Sequence, residues 1–193
     1  NDDLSTLVIG AGFNVLVAEA GIRGVVIRLK KLRGIERDDL DVLCIEAGAS
    51  HATITRYCVE NALSGLEFGA GIPGTLGGWI AMNAGIGERE QKDVVDSIEV
   101  MSRDGASQET IPRKQLDFRY RELRGLPEGS IVVSACYTVS PSERQEIKAE
   151  IDRLKNLRHE TQPLNVPSCG SVFRNPECDF AGRLIESAGL RGE

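Results

Sequence analysis

The first residues combine a short apolar run with two glycines, a pattern that strongly limits the folds open to the chain. Residues 7–9 are typical of a strand, and Gly10 and Gly12 follow with one residue between them. A dinucleotide-binding Rossmann unit needs a third glycine three positions later, so that a helix can pack against the strand. Val15 occupies that position, inside a second apolar run over residues 15–17. The sequence therefore predicts a strand, a tight turn and a second strand, and not a Rossmann helix.

The rest of the chain mixes strands and helices without the regular alternation of a doubly wound sheet. Strands are predicted over residues 24–29, 41–47, 94–101, 106–111 and 130–139. Helices are predicted from a cap at Ser50, with Ile54, Cys58 and Leu63 on one side, from residue 142 to about 158, and from a cap at Asp179 to a stop at Gly189. This mixture favours the α+β class.

Composition narrows the classes of function. The 193 residues carry a net charge of −6, and 41% are apolar and 27% charged, as in an ordinary soluble globular protein. The acidic balance argues against a general nucleic-acid binder, which needs a basic face. No apolar run is long enough to span a membrane, and the acidic start is unlike a signal peptide. We therefore expect a cytoplasmic protein without a nucleic-acid or membrane partner.

The cysteines and histidines indicate neither disulfide nor metal chemistry. The five cysteines, Cys44, Cys58, Cys136, Cys169 and Cys178, are odd in number, widely spaced and without a Cys-x-x-Cys pair. We expect them to be reduced and mostly buried thiols. His51 and His159 are the only histidines, and neither has a metal-ligand partner near it in sequence. No metal and no histidine-based triad is therefore expected.

Glycine occupies eight of the 23 positions in residues 65–87, which makes this the most informative stretch. Pro73 and Gly74 form a predicted turn, Thr75 can cap a short helix, and Gly77 and Gly78 remove side chains from its first turn. A loop with free N–H groups at a helix N-terminus can hold a phosphate or pyrophosphate. The same glycines can instead let a helix pack closely against a neighbouring backbone. From the residues alone, both interpretations stay open.

Several motifs in a fixed order resemble those of the UDP-N-acetylenolpyruvoylglucosamine reductase family. They lie at residues 10–17 (GAGFNVLV), 71–78 (GIPGTLGG) with 82–85 (MNAG), 118–121 (FRYR), and 167–176 (PSCGSVFRNP) running into 181–192 (AGRLIESAGLRG). The resemblance covers essentially the whole chain, and the joint order makes it specific. It implies an FAD-binding domain of the PCMH or vanillyl-alcohol-oxidase type over residues 1–160. The start of a substrate-binding α+β domain would follow over residues 161–193.

The resemblance also implies which residues hold FAD. They are Gly10, Ala11, Gly12, Phe13, Asn14, Val15 and Leu16 in the first motif, and Gly71, Ile72, Pro73, Gly74, Thr75, Gly77, Gly78, Ala81, Asn83, Ala84 and Gly85 in the second. The backbone amides of Gly12, Asn14, Gly74 and Thr75 are the expected donors to the diphosphate. Phe13 departs from the family pattern, which usually has a serine there, so a hydroxyl contact is lost or replaced.

The implied reaction is the reduction of UDP-N-acetylglucosamine enolpyruvate to UDP-N-acetylmuramate in peptidoglycan synthesis. NADPH reduces FAD, and the flavin delivers hydride to the enolpyruvyl β-carbon. Negative charge then develops at the α-carbon and its carboxylate, which calls for a cationic clamp and a proton donor. By resemblance, Arg121 is the catalytic arginine, Ser171 the proton donor, and Tyr120, Arg174 and Asn175 bind the substrate.

Without the resemblance, these residues have plainer interpretations. Arg121 is an ordinary surface arginine, with Arg119 and Arg124 beside it, and Ser171 is a turn serine. Cys169 would be the more tempting nucleophile. The family does not use its position for chemistry, however, so we interpret Cys169 as structural.

Both ends of the sequence differ from the family pattern. The pattern includes an N-terminal segment that helps to enclose FAD and a C-terminal portion with a catalytic glutamate, and Glu186 and Glu193 lie in the wrong motif to replace it. We therefore expect the chain as written to be inactive or nearly so. The short interval from Arg121 to Ser171 suggests the compact, type II-like subtype, and the resemblance implies a monomer. Two alternatives stay open, a related FAD-domain oxidoreductase with another substrate and a non-catalytic fragment.

Overall fold

The computed structural model describes residues 4–87, 89–162 and 170–192 as a mixture of short strands and helices. The strands are β1 (Thr6–Ile9), β2 (Val25–Arg28), β3 (Ile35–Arg37), β4 (Val42–Glu46), β5 (Leu63–Ser64), β6 (Gly85–Ile86), β7 (Arg89–Glu90), β8 (Val95–Met101), β9 (Gln108–Pro112), β10 (Asp117–Arg119), β11 (Glu122–Arg124), β12 (Ile131–Thr138) and β13 (Ser140–Pro141). The helices are α1 (His51–Glu60), α2 (Leu76–Ala81), α3 (Gln91–Val94), α4 (Arg144–Thr161) and α5 (Ala181–Ser187). The predicted α+β class is confirmed.

A five-stranded antiparallel sheet, in the order β3-β4-β12-β8-β9, carries the core. Buried and half-buried residues alternate along β4, because successive side chains of a strand point to opposite faces of the sheet. Leu43 and Ile45 on its buried face belong to the same apolar cluster as Ile54 of α1 and Ile80 of α2. The helix α2, which follows the second glycine-rich turn, is therefore fixed against the sheet by its buried side chains.

Most predicted elements are confirmed. The strands β2, β4, β8, β9 and β12 lie close to the predicted bounds. Helix α1 begins behind Ser50, whose Oγ accepts a hydrogen bond from the backbone N–H of Thr53 at 3.2 Å, as predicted. Gly189, with φ of 75°, follows α5 as the predicted stop.

Three local predictions are wrong. Residues 15–17 form no strand in the described part of the chain, and the side chain of Leu16 is fully exposed, because no neighbouring strand pairs with this run. Leu63 lies in β5 rather than on α1, since Ala62 takes a left-handed φ of 55° just after the helix ends. Asp179 does not cap α5, because Phe180 is the N-cap residue and the Asp179 carboxylate accepts from the Phe180 N–H.

The chain divides into two compact units, Asn1–Leu157 and Arg158–Glu193. The first unit contains the five-stranded sheet, and the second contains α5. The domain boundary predicted at residues 160 and 161 stays a prediction. Among the residues that the structure describes, none of the helices is both long and apolar enough to cross a membrane.

The expectation that all cysteines are reduced thiols is wrong for one pair. Cys44 on β4 and Cys136 on β12 are direct partners in the antiparallel register, and they form a disulfide. The two residues are 92 positions apart and become neighbours only through the sheet, so their spacing in the sequence carries no signal. Cys58 is buried, as expected, whereas Cys178 is exposed. Cys169 lies outside the described residues.

Cys58 and Cys178, the free cysteines among the described residues, should differ strongly in reactivity. Burial, with a smaller contribution from the nearby Glu67 carboxylate, raises the pKa of Cys58 from 9.0 to about 12. This lowers the reactive thiolate fraction near neutral pH roughly a thousandfold. In a Cys169→Ser variant under native conditions, we expect a thiol reagent to label Cys178 readily and Cys58 only after unfolding. Peptide mass spectrometry measures the labelling rate of each cysteine. Equal rates for Cys58 and Cys178 would contradict the burial of Cys58.

Candidate functional site

Two glycine-rich turns that are distant in sequence meet beside α2. A Cβ atom built at Gly10, just after β1, would lie only 2.2 Å from Oγ1 of Thr75. A second contact joins Nδ2 of Asn14 to the sulfur of Met82 at 3.3 Å. We call residues 10–16 and 74–78 together the glycine cradle. The structure thus brings together residues of the two motifs that the sequence analysis assigned to one site.

The hydroxyl of Thr75 lies inside the cradle without a partner. Thr75 is 5% exposed, and its buried Oγ1 forms no hydrogen bond within the described residues. Thr75 is the N-cap residue of α2 as predicted, but its side chain makes no capping bond in the described residues. Its backbone instead forms an isolated bridge with Ser50. A buried polar atom without a partner is costly, and this hydroxyl is therefore available to a bound group.

The first turn of the cradle presents its backbone to the surface. Residues 11–16 are exposed, and in the described part of the chain their N–H groups donate to no other backbone group. Gly12 has a left-handed φ of 83°, and a Cβ atom there would meet nothing within 4 Å. Successive N–H groups at such a turn form a concavity that suits an anion such as a phosphate.

The glycines of the second motif divide into two groups. Gly77 donates its N–H to the carbonyl of Ala47 at 2.8 Å, and a Cβ atom at Gly77 would lie 3.0 Å from the Cβ of Ala47. A Cβ atom at Gly85 would lie 2.0 Å from the carbonyl oxygen of Arg89. Both positions therefore serve close packing. At Gly78, by contrast, a Cβ atom would meet nothing nearer than Thr75 Oγ1 at 3.9 Å, so this glycine leaves space in the cradle.

The other predicted cofactor residues have varied surroundings. Ala11, Phe13, Val15, Leu16 and Ala81 are exposed, Ala84 is buried, Ile72 packs against the main apolar cluster, and Gly71 and Gly74 have positive φ angles of 85° and 116°. The carbonyl oxygen of Pro73 accepts a hydrogen bond from the Trp79 indole at 3.4 Å. Their contacts with a cofactor stay predictions.

Asn83 is held by its own side chain. It is 3% exposed, and its carboxamide bonds to Glu90, to the backbone N–H of Lys92 and to the carbonyl oxygen of Arg119. A cofactor contact predicted at Asn83 would therefore have to come from its backbone. Sequence reasoning missed Glu90 and gave Met82 no role beyond its place in the 82–85 motif, because no local pattern shows which side chains they contact.

Arg121 differs from the two arginines beside it. Arg119 pairs with Asp117 at 2.7 Å and Arg124 with Glu122 at 2.8 Å, each within the β10-β11 hairpin. Tyr120 and Arg121 form the two-residue turn of this hairpin, and Arg121 has a left-handed φ of 58°.

In the part of the chain that the structure describes, no carboxylate pairs with Arg121. Its guanidinium lies over the Tyr120 ring, 5.7 Å from the centroid. Both side chains are exposed. The turn therefore presents one cation that is not neutralised by an acidic neighbour.

The second unit carries the remaining predicted site residues. Ser171 and Arg174 are exposed, and Gly170 before them has a positive φ of 75°. The side-chain oxygen of Asn175 accepts a hydrogen bond from the N–H of Ala181 at 3.0 Å, so it anchors the start of α5. The roles predicted for these residues in catalysis and substrate binding stay predictions. Within the described residues, no group of histidine, cysteine or carboxylate side chains could hold a metal ion.

Comparisons with known proteins show which families the chain resembles. The chain matches the family described as FAD binding domain over residues 1–110, and the UDP-N-acetylenolpyruvoylglucosamine reductase, C-terminal domain, over residues 162–193. The UDP-N-acetylenolpyruvoylglucosamine reductase of Streptococcus pneumoniae strain CGSP14 is 43% identical over 186 residues, which is 96% of this chain and 61% of the relative. The protein of the same name from strain Hungary19A-6 is 41% identical over 191 residues, which is 99% of this chain and 63% of the relative.

The fold of the chain is also that of a solved structure. The crystal structure of UDP-N-acetylenolpyruvylglucosamine reductase (MurB) from Thermus caldophilus matches with a TM-score of 0.84 and 31% identity, and the match covers 99% of this chain and 69% of that one. The chain spans 61% and 63% of the length of the two sequence relatives. It belongs to the UDP-N-acetylenolpyruvoylglucosamine reductase family and carries that family's FAD binding domain.

Proposed function

We propose that the complete protein is an FAD-dependent reductase that converts UDP-N-acetylglucosamine enolpyruvate to UDP-N-acetylmuramate, with NADPH as the reductant, in peptidoglycan synthesis. The observation that carries this proposal is the approach of Gly10 to Thr75, which joins two motifs of the family in one cradle. The net charge of −6 supports a small-molecule substrate held by a few local cations rather than a nucleic acid. The cytoplasmic location and the monomeric state stay predictions.

The glycine cradle fits the diphosphate part of FAD. The N–H groups of residues 11–16 donate to no other backbone group in the described parts, and the buried Oγ1 of Thr75 has no partner there. A diphosphate needs several such donors, and glycines at positions 10, 12 and 78 let it approach the backbone. When bound, FAD supplies a two-electron centre that accepts electrons from NADPH and passes them to the enolpyruvyl double bond. The exposed ring of Phe13 is free to contact an aromatic or sugar part of the cofactor.

Arg121 is proposed to stabilise the negative charge that develops on the substrate. Reduction breaks the carbon–carbon π bond, forms a C–H bond at the β-carbon and leaves charge on the α-carbon and its carboxylate. A guanidinium binds a carboxylate with two parallel N–H groups. Because Arg121 has no carboxylate partner in the described residues, it can accept one from the substrate. Tyr120, under its guanidinium, limits the directions that the side chain can take.

Ser171 is proposed to give the proton that completes the reaction. A serine hydroxyl is a weak acid, but a carbanion-like α-carbon is basic enough to take its proton when the two are held together. The serine then regains a proton from water, so that NADPH and one solvent proton supply the two hydrogens of the product. Ser171 is exposed and follows a glycine in the left-handed region, which supports a tight turn that presents the hydroxyl. Arg174 and Asn175 are proposed to bind the substrate.

The proposal is tested in the complete gene product by following NADPH oxidation with and without UDP-N-acetylglucosamine enolpyruvate. We expect consumption of NADPH to require the sugar nucleotide, and one product heavier by two hydrogens to form for each NADPH consumed. NADPH oxidation that runs on oxygen alone and is unchanged by the sugar nucleotide would overturn the substrate assignment. It would favour an FAD-dependent oxidase with another substrate.

A further inference from the structure

Asn83 lies just after α2 and is hydrogen-bonded to the hairpin whose turn is formed by Tyr120 and Arg121. It lies two residues after α2 ends, is 3% exposed, and has a left-handed φ of 43°. Asparagine is among the few residues other than glycine that tolerate this conformation. A buried carboxamide in such a place needs hydrogen-bond partners for all of its groups.

Each group of the Asn83 carboxamide has a partner. Its Nδ2 donates to Oε2 of Glu90 at 2.9 Å and to the carbonyl oxygen of Arg119 at 3.3 Å, which uses both N–H groups. Its Oδ1 accepts from the backbone N–H of Lys92 at 3.0 Å. Glu90 is in turn paired with the Lys92 ammonium at 2.7 Å. The side chain is therefore fixed in one orientation from three directions.

The bond to Arg119 reaches the hairpin at the residue just before its turn. Arg119 ends β10, and Tyr120 and Arg121 follow immediately. Asn83 itself follows α2, which begins directly after Thr75 of the cradle. One side chain thus joins the helix that starts at the cradle to the turn that presents the cation.

Phe118 and Leu123 pack against the main apolar cluster and so hold the body of the hairpin, whereas in the described residues the bond from Asn83 acts at the residue next to the turn. The ion pairs of Arg119 and Arg124 lie within the hairpin, so they stiffen it without fixing it to α2. Arg113 donates to the carbonyl oxygen of Lys92 at 2.7 Å and lies over the Phe118 ring. The contact of Arg113 with Phe118 acts on β10 one residue further from the turn than Arg119, which the bond from Asn83 reaches.

We propose that Asn83 is a positioning residue, which holds the Tyr120-Arg121 turn against the end of α2 through its bond to the Arg119 carbonyl and so sets where the Arg121 guanidinium meets the substrate. This inference rests on the proposed function, because it assigns Arg121 to the reducing step. A small displacement of a charge-stabilising group lowers the rate of the step it serves, on the order of ten- to a hundredfold. Binding of FAD and its reduction by NADPH do not use Arg121 and should be preserved.

The test uses Asn83→Gly in the complete gene product, because glycine accepts the left-handed backbone and the change removes the side chain with its hydrogen bonds. We expect FAD content and the rate of flavin reduction by NADPH to stay near the wild-type values. Reoxidation of the flavin by UDP-N-acetylglucosamine enolpyruvate should slow roughly ten- to a hundredfold. In an Arg121→Ala background, Asn83→Gly should cause no further loss, since it acts through Arg121.

Gln91→Leu is the matched control. Gln91 is another buried carboxamide, 1% exposed, which bonds to the Tyr137 hydroxyl at 2.7 Å and not to the hairpin. Its loss should lower stability without changing the reoxidation rate. Full additivity of Asn83→Gly with Arg121→Ala, or a wild-type reoxidation rate in Asn83→Gly, would overturn the positioning role.

A second variant covers a failure of Asn83→Gly to fold. Asn83→Asp combined with Glu90→Gln keeps the acceptor for the Lys92 N–H, removes both Asn83 donors and avoids two facing carboxylates, and we expect the same selective slowing. If both variants lose FAD, Asn83 supports the fold as a whole and the inference is wrong. Failure of the wild-type protein to be reoxidised by this substrate would instead contradict the proposed function, so the two failures can be told apart.

Discussion

Replacing Arg121 with alanine is expected to slow reoxidation of the reduced flavin by UDP-N-acetylglucosamine enolpyruvate roughly a hundred- to a thousandfold. The charge that develops on the substrate during this step would lose its cationic partner. FAD content and reduction by NADPH should be unchanged, because Arg121 lies on a hairpin turn outside the cradle. Anaerobic stopped-flow absorbance, with the two half-reactions measured separately, checks both expectations.

The control for this prediction is Arg124→Ala on the same hairpin. Arg124 is already paired with Glu122, so it is not expected to meet the substrate, and its loss should leave the reoxidation rate close to that of the wild type. Arg121→Lys keeps the charge but loses the planar two-point contact, and it should fall between the wild type and alanine. Equal effects of Arg121→Ala and Arg124→Ala would contradict a specific role for Arg121.

Replacing Gly10 with alanine is expected to remove most of the bound FAD. The new Cβ atom would lie 2.2 Å from Thr75 Oγ1, so either the Thr75 side chain must rotate or the two turns must separate, and both changes disturb the cradle. Gly10 has no positive φ angle, which means that the effect arises from the clash and not from backbone strain. The ratio of flavin absorbance to protein in the purified variant measures the loss.

Two further variants sharpen this prediction. Gly182→Ala in α5 is the matched control, since its Cβ atom would meet nothing within 4 Å, and it should retain full FAD. Adding Thr75→Ala to Gly10→Ala removes the clashing oxygen, and the double variant should hold more FAD than Gly10→Ala alone. A Gly10→Ala protein that is folded and fully loaded with FAD would show that the two turns do not form one site.

Local pattern was sufficient to predict much of the fold. Strands such as β4, β8 and β12 were predictable because each is a short run rich in apolar residues between turn residues. The charged edge strand β3, with sequence IER, carries no such pattern and depends on pairing with β4. The disulfide between Cys44 and Cys136 depends on sheet register in the same way.

In the candidate site, too, the sequence predicted what local motifs show and missed what depends on contacts between distant residues. Motif order indicated that the two glycine-rich turns act together, but the residues alone could not separate packing glycines such as Gly77 and Gly85 from Gly78, which leaves space. That separation depends on which atoms of distant elements lie nearby. The link from Asn83 to Arg119 was equally invisible, because it joins residues 36 positions apart.

The most direct test of the central claim is the anaerobic absorbance of the complete wild-type protein through one catalytic cycle. We expect the flavin band to bleach when NADPH is added and to return when UDP-N-acetylglucosamine enolpyruvate is mixed in without oxygen. A band that bleaches but stays bleached with this substrate, and returns only with oxygen, would contradict the account.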